Sequence, residues 1–172
     1  SCTLDWETVA ALLDSPTRRE IASRLLAGET AVWIFLESGE AARNDALFNT
    51  IKQTLNDLER TLPLPDLSDV TAADSIELDP SAPPLRIQFS TLRLARDNPQ
   101  ERSLINQLLH SEPDLNQYPN DPMLFPLFGR GRLLYALVGE GISPENIRES
   151  AEFVIGPCTC LIKDQYPGMD LL

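Results

Sequence analysis

The feature that most constrains the fold is an uninterrupted apolar run of six residues, from Ala31 to Leu36. The run contains β-branched and aromatic side chains, and Gly39 follows soon after it. A strand with one solvated face alternates apolar and polar residues, whereas a continuous apolar run is typical of a strand that is covered on both faces. The run therefore predicts a central strand of an α/β protein, with helices on both sides of the sheet.

A long amphipathic helix is predicted directly after this strand, over residues from Ala41 to about Thr61. Apolar residues recur there at helical spacing, and Pro63 ends the pattern. The apolar positions are Leu47, Ile51, Leu55, Leu58 and Leu62. A crossover helix of this length connects parallel neighbours, so we expect the next strand, Leu85–Leu92, to run parallel to Ala31–Leu36.

Two further helices begin with the same signal, a serine followed by a proline. Ser15 and Ser143 can each cap a helix whose first residue is the proline, which has no amide hydrogen to leave unpaired. Another helix, which carries Leu104 and Leu108, follows an Asn-Pro turn. The sequence thus predicts an extra N-terminal helix, a middle helix, and a last helix that ends at Gly156-Pro157.

A β-hairpin is predicted between the middle and last helices. Two apolar runs, Met123–Phe128 and Leu133–Val138, are joined by Gly129-Arg130-Gly131-Arg132, and two glycines in a short link are a hairpin signal. Pro126 lies inside the first run, which favours a bulge or an edge position because proline has no amide hydrogen.

Length and charge limit the classes of protein to consider. At 172 residues and 19.1 kDa, with 42% hydrophobic residues, the chain fits a single domain with a core at about 31–155 and an acidic, proline-rich loop at about 63–84. The net charge of −12 repels phosphate, so we expect no nucleic-acid partner. We expect no transmembrane segment and no signal peptide, and a soluble protein whose compartment, cytoplasmic or exported, stays open without the full N-terminus.

The order of these elements resembles the thioredoxin fold, in which a βαβ unit is followed by a connecting helix, a β-hairpin and a final helix. The most specific likeness is the hairpin, where Phe128-Gly129-Arg130-Gly131 and Val138-Gly139 reproduce the family's spacing of glycines. The resemblance covers about Ala31 to Ile155 and implies a central mixed sheet, flanked by helices and followed by a C-terminal tail. The chain is also similar to bacterial thioredoxin-like proteins that lack the C-x-x-C thiol pair.

The departures from the family bear directly on activity. The position of the family's thiol pair, at the start of the long helix, is taken by Glu40-Ala41-Ala42-Arg43, which contains no sulfur. Glu40 there is expected to cap the helix or to interact with its macrodipole. The family's cis-proline precedes the first strand of the hairpin, and Pro122 lies one residue away from that place when Phe128 is the anchor, so the resemblance implies a cis Asp121–Pro122 bond. Glu40, Arg43 and Pro122 together define a candidate binding cleft.

Three cysteines are present: Cys2, Cys158 and Cys160. In an extended segment, the thiols of Cys158 and Cys160 would point the same way, which makes them an alternative redox pair. They follow a predicted helix C-terminus, whose partial negative charge disfavours thiolates, and a structural role is the simpler interpretation. Zinc needs about four ligands, and His110 is the lone histidine, so we expect no metal and no other cofactor.

Other candidate residues have structural explanations. His110 is expected to end a helix, and its neighbours Ser111 and Asp114 lie in one loop, which does not supply the geometry of a catalytic triad. The Gly129–Arg132 link joins two strands and opens no helix, so it is predicted to be a hairpin turn with two exposed arginines and not a phosphate loop. Trp6 and Trp33 are expected in the core.

These observations favour a non-catalytic domain that binds another protein, or a missing part of the same chain. The alternative is an atypical thiol–disulfide oxidoreductase that uses Cys158 and Cys160. A third hypothesis, an enzyme of another class acting in the cleft around Glu40, Arg43 and Pro122, has no positive sequence evidence.

Overall fold

Four helices and five strands make up the residues that the computed structural model describes, which are 14–64, 86–156 and 169–172. The helices are α1 (Pro16–Leu26), α2 (Ala41–Thr61), α3 (Arg102–Leu109) and α4 (Pro144–Ile155). The strands are β1 (Ala31–Leu36), β2 (Phe89–Leu94), β3 (Met123–Phe128), β4 (Arg132–Leu133) and β5 (Leu137–Val138). The first strand, the long helix and the last helix therefore have the predicted extents.

The strands form one mixed sheet in the order β2-β1-β3-β4, with β5 also paired to β3. β1 runs parallel to β2, with Ala31 opposite Phe89, and antiparallel to β3, with Ala31 opposite Phe128. The predictions of a single sheet, a parallel first pair and an antiparallel hairpin are confirmed. The protein is a mixed α/β structure.

Strand β1 lies at the centre, and all six of its residues are buried. Its alternate side chains enter two core layers: Val32 belongs to the layer that contains Ile21 of α1 and Leu104 of α3. Trp33 belongs to the opposite layer, which contains Leu55 of α2 and Ala151 of α4. Helices cover both faces of the sheet, which is why the run carries no polar residue.

The predicted serine caps are present at both helices. The hydroxyl oxygen of Ser15 accepts a hydrogen bond from the Arg18 amide at 3.3 Å, and that of Ser143 accepts one from the Asn146 amide at 3.2 Å. Each cap satisfies an amide that has no partner inside its helix. The two Ser-Pro signals therefore identified helix starts correctly.

The predicted second strand, Leu85–Leu92, is wrong in its bounds. Leu85 lies outside the described residues, residues 86–88 are not in a strand, and β2 continues to Leu94. The reason is pairing: the six residues of β1 match Phe89 to Leu94 one to one. β1 begins at Ala31, which lies opposite Phe89, so residues before Phe89 have no opposite residue in β1, whatever their hydropathy.

The outer edge of β2 is covered by side chains. The main-chain carbonyl oxygens of Gln88 and Leu94 accept hydrogen bonds from the amides of Thr30 and Glu37, on the β1 side. Main-chain groups alternate in direction along a strand, so those of Phe89 and Thr91 point to the outer edge. The Phe89 amide donates to Oε1 of Glu59 at 2.5 Å. The Thr91 carbonyl accepts from Nη1 of Arg24 at 3.3 Å. Two main-chain groups of an edge strand are thus unavailable to a further strand.

The second hairpin strand was predicted as one segment, Leu133–Val138, and the structure divides it into β4 and β5. Pro126 is the reason. Its carbonyl oxygen accepts a hydrogen bond from the Leu134 amide at 3.1 Å, so this edge of Pro126 faces the hairpin partner, where proline offers no amide hydrogen. The ladder is interrupted there, and one extra residue of the partner strand bulges between Leu133 and Leu137.

Of the two expectations about the prolines, the bulge at Pro126 is confirmed and the cis bond at Pro122 is wrong. β3 is an internal strand, with β1 on one side and β4 and β5 on the other, so Pro126 marks a bulge in the partner strand and not an edge. The Asp121–Pro122 bond is trans, since no peptide bond among the described residues is cis. The register of β3 against β1 is complete from Met123 onward without a cis bond.

Residues 169–172 lie along β4 as a further extended segment. The Leu133 amide donates to the Met169 carbonyl and the Leu171 amide donates to the Gly131 carbonyl, each at 3.0 Å. The predicted C-terminal tail thus contacts the sheet at its end. Cys2, Trp6, Cys158 and Cys160, and the acidic loop from residue 65 onward, lie outside the described residues. In the ranges that are described, no helix combines the length and the hydropathy that crossing a bilayer requires.

Candidate functional site

The start of α2 and the loop before β3 meet at one edge of the sheet. Leu36, the last residue of β1, pairs with Met123, the first residue of β3, so the loops beyond these two residues are neighbours. Across them, Nη1 of Arg43 lies 3.3 Å from Oδ1 of Asp121. Nη2 of Arg43 lies 3.5 Å from Oε1 of Glu140. We call Glu40, Arg43, Asp121 and Glu140 the Arg43 surface.

The predicted cleft residues are only partly brought together. Arg43 contacts Asp121, the residue next to Pro122. Pro122 itself is buried, and its carbonyl oxygen accepts a hydrogen bond from the Gly139 amide at 2.9 Å. Pro122 therefore shapes the loop and does not line an open cleft. Glu40 is exposed at the N-cap position of α2.

Glu40 was expected to cap the helix or to interact with its macrodipole; it occupies the N-cap position, but its side chain makes no capping hydrogen bond. Asn44, one turn into α2, fixes the preceding loop instead. Its Oδ1 accepts hydrogen bonds from the Ser38 amide at 3.0 Å and the Ser38 hydroxyl at 2.8 Å, and its Nδ2 donates to the Ser38 carbonyl at 2.9 Å. Asn44 is only 3% exposed, so the partner of Ser38 in these bonds is a buried side chain. The loop before α2 is held from inside the fold.

Arg96 holds the loop before β3 in a comparable way. Its Nη2 donates to the Asp121 carbonyl at 2.8 Å, and its Nε donates to the Glu37 carbonyl at 3.4 Å. Burial lowers the pKa of Arg96, and the nearby charge of Asp121 opposes that effect. One guanidinium thus connects the end of β1 to the loop that carries Asp121.

Gly139 makes close approach to this loop possible. It has a φ of +54°, and a Cβ at this position would lie 3.1 Å from Oδ1 of Asp121. Residues with a side chain rarely adopt such a φ, so glycine serves both the conformation and the space here. In the sequence, Gly139 could be noticed only as one of the hairpin glycines, and nothing there indicated Asp121 as its neighbour.

The functional groups that this surface offers are charged side chains. It carries one half-buried guanidinium and three carboxylates, of which the Glu140 side chain is fully exposed. The two Arg43 contacts, at 3.3 and 3.5 Å, are longer than the 2.7–2.9 Å typical of strong charge-assisted hydrogen bonds. No thiol occurs in the first turn of α2, so thiol–disulfide exchange has no nucleophile there. The surface is suited to binding a charged group.

The other candidate residues occupy structural positions. His110 caps the C-terminus of α3, with Nδ1 2.6 Å from the Asn106 carbonyl oxygen, and Trp33 is fully buried. Arg130 is exposed in the hairpin turn, as predicted. Arg132 was also expected to be exposed, but its side chain is only 15% exposed and lies 3.5 Å from Asp170. The strand-like segment at residues 169–172 covers it.

A separate open cavity of about 590 Å³ lies between α2 and α4. Its lining is mainly acidic and consists of Thr54, Asp57, Pro144, Glu145, Arg148, Glu149 and Glu152. Within the described ranges, no group of three or more His, Cys, Asp and Glu residues is arranged to hold a metal ion. The cavity contains none of the predicted site residues.

Comparison of the chain with family models, with curated proteins and with solved structures gives no match.

Proposed function

We propose that this chain is a thioredoxin-like domain that has no thiol chemistry and binds another protein through the Arg43 surface. One observation carries the proposal. The first turn of α2 and the loop before β3, which in the thioredoxin family hold the thiol pair and the cis-proline, meet here through the ion pair of Arg43 and Asp121. The place that would need sulfur for exchange chemistry is occupied by charged groups.

The partner that fits this surface is a protein with a basic face. The most exposed charged groups on the surface, Glu40 and Glu140, are acidic, and the half-buried Arg43 lies between carboxylates. The chain as a whole carries a net charge of −12, which attracts a basic protein over a distance and repels nucleic acid. Asn44 and Arg96 hold the two loops in fixed positions, and a rigid surface loses less entropy on binding.

Photo-crosslinking tests the binding surface. A photoreactive residue at Ala42, beside Arg43, is compared with one at Gln53, which is exposed about three turns further along the same helix. In extracts of the organism that carries the gene, we expect a discrete adduct with a basic protein from position 42 alone. The double variant Glu40→Lys/Glu140→Lys should abolish the adduct, whereas Glu20→Lys/Glu149→Lys, the same charge change elsewhere, should not. Equal adducts from positions 42 and 53 would refute the surface.

Insulin reduction with dithiothreitol tests the claim that the domain has no thiol chemistry. We expect neither the wild type nor the Cys158→Ser/Cys160→Ser variant to accelerate the reaction. Acceleration by the wild type that is lost in the variant would establish the oxidoreductase alternative. Acceleration that persists in the variant would place redox chemistry elsewhere in the chain and would equally refute the proposal.

A further inference from the structure

A slot along β4 is filled by the chain's own residues 169–172. Two main-chain hydrogen bonds, both at 3.0 Å, join this segment to Gly131 and Leu133. Leu171 is 4% exposed and belongs to the core layer of Ile21 and Leu133. The segment thus pairs with β4 through one antiparallel bridge, between Asp170 and Arg132, and main-chain pairing of this kind is the way in which many domains bind extended peptides.

The floor of the slot carries a buried cation. Arg18 of α1 is 6% exposed, and its Nη1 donates to the Leu171 carbonyl while its Nη2 donates to Oε1 of Gln107. Its Nε has no hydrogen-bond partner among the described residues. Burial lowers the pKa of Arg18, and the charge of the buried Glu101 opposes that effect. Nη1 of Arg18, on a side chain that is more than nine-tenths buried, therefore points into the slot, where it meets the Leu171 carbonyl.

The burial of Arg18 favours a role in binding a peptide over a role in packing alone. Placing a guanidinium in the interior costs free energy that a well-packed apolar side chain would not cost. What the guanidinium provides is a hydrogen bond to a main-chain carbonyl, which any extended peptide possesses. The main-chain contacts from Arg18, Gly131 and Leu133 read the peptide backbone without regard to its sequence.

Two further features select side chains. Nη1 of Arg132 lies 3.5 Å from Oδ1 of Asp170, which favours an acidic residue before the buried leucine. Gly131 has a φ of +88°, and a Cβ at this position would lie 2.5 Å from Cγ of Leu172. The missing side chain makes room for a bulky residue after the buried leucine. The slot therefore fits an acidic residue followed by two leucine-like residues.

We propose that this slot is a peptide-binding site of the strand-addition kind, in which residues 169–172 are the resident occupant and exchange with an acidic–Leu–Leu segment of another protein. The resident segment is bound by two main-chain hydrogen bonds to β4 and its turn, one hydrogen bond from Arg18 to a carbonyl, one ion pair and one buried leucine. Segments with so few contacts open at a small fraction of the free energy of global unfolding. The slot lies at the Phe128 end of β3, whereas the Arg43 surface lies at the Met123 end, so the two sites are independent.

Competition in the chain of residues 1–172 tests the exchange. A fluorescein-labelled peptide of sequence Gly-Met-Asp-Leu-Leu is titrated and its anisotropy measured. The Leu171→Ala variant, whose resident segment is weakened, should bind the peptide at least about tenfold more tightly than the wild type. Leu26→Ala, a matched change at a side chain that is 89% exposed, should bind like the wild type. Equal affinities of wild type and Leu171→Ala would overturn the proposal.

A second variant keeps the test valid if Leu171→Ala does not fold. Asp170 is 70% exposed, so Asp170→Lys weakens the resident segment without changing the core, and it should raise peptide affinity by about threefold or more. Adding Gly131→Ala to the Leu171→Ala variant or to the Asp170→Lys variant should abolish peptide binding. Unchanged binding would refute the site.

Charge exchange tests the selectivity. A peptide with lysine in place of aspartate should bind less tightly, and Arg132→Glu should reverse this preference. Absence of any preference would refute the acidic specificity. Sedimentation tests whether the segment that enters the slot comes from a second copy of this chain. A wild-type dimer that Gly131→Ala abolishes would show such an exchange and would overturn the assignment of a separate partner.

Discussion

Arg43 and Asp121 stand 78 positions apart in the sequence, and their side chains meet at 3.3 Å between Nη1 and Oδ1. The contact joins the first turn of the long helix to the loop before the third strand. Because both loops are also fixed from the inside, by Asn44 and Arg96, the ion pair is the exposed part of a rigid connection. Substitutions at the inner and outer parts of this connection should therefore have different effects.

Asn44→Ala should lower the free energy of unfolding by about 1–3 kcal/mol, since it leaves the half-buried amide and carbonyl of Ser38 without their partner. Its neighbour Arg43 provides the matched control. Arg43→Ala removes a partly exposed ion pair and should change stability by less than about 1 kcal/mol. Urea unfolding followed by circular dichroism measures both. Similar losses for the two variants would contradict the assignment of Asn44 as the structural residue.

Gly139→Ala should destabilise the fold by about 1–3 kcal/mol, because it forces a residue with a side chain into a positive φ and places its Cβ against Asp121. Gly141→Ala is the control, since a Cβ there would meet nothing within 4 Å. Thermal unfolding should separate the two variants clearly. If both unfold like the wild type, the close approach at Gly139 is not required.

Glu59→Ala combined with Arg24→Ala should increase aggregation, because it frees one amide and one carbonyl on the outer edge of β2. Light scattering during incubation just below the unfolding midpoint measures the effect. Asp57→Ala, two residues away and exposed on the same helix, should scatter like the wild type. An unchanged rate in the double variant would mean that this edge is closed by other means.

Cys158 and Cys160 should react with iodoacetamide at pH 7 no faster than glutathione does. The preceding helix ends at Ile155 with Gly156 as its cap, as predicted, and the partial negative charge of a helix C-terminus disfavours thiolates. Mass spectrometry of timed samples gives the rate for each residue. A rate about tenfold above that of glutathione at either cysteine would favour the oxidoreductase alternative.

Most of the fold could be predicted because its signals are local. The apolar run of β1, the leucine spacing of α2 and the two Ser-Pro caps each depend on residues close together in sequence. The division of the hairpin strand could not be predicted in the same way. Its cause is Pro126, and the effect of a missing amide hydrogen on another strand depends on which edge of β3 that strand occupies.

The residues of the Arg43 surface could be predicted only in part, because most of them are brought together by contacts that are distant in sequence. The expected cleft named Arg43 together with Pro122, but Asp121 and Glu140 entered only through the register of β3 and the turn at Gly139. Arg18 was missed altogether. It lies near the start of an amphipathic helix, where an arginine is normally a solvated residue, and its contacts with Gln107 and Leu171 come from distant parts of the sequence.

The central position of β1 has a consequence for synthesis of the protein. This fully apolar strand is completed at residue 36, but its antiparallel neighbour is residues 123–128. At about 5–20 residues per second, a ribosome needs several seconds to produce that neighbour after β1 has emerged. During this interval the most hydrophobic segment of the sheet has an open edge, so nascent chains should be most prone to associate through β1.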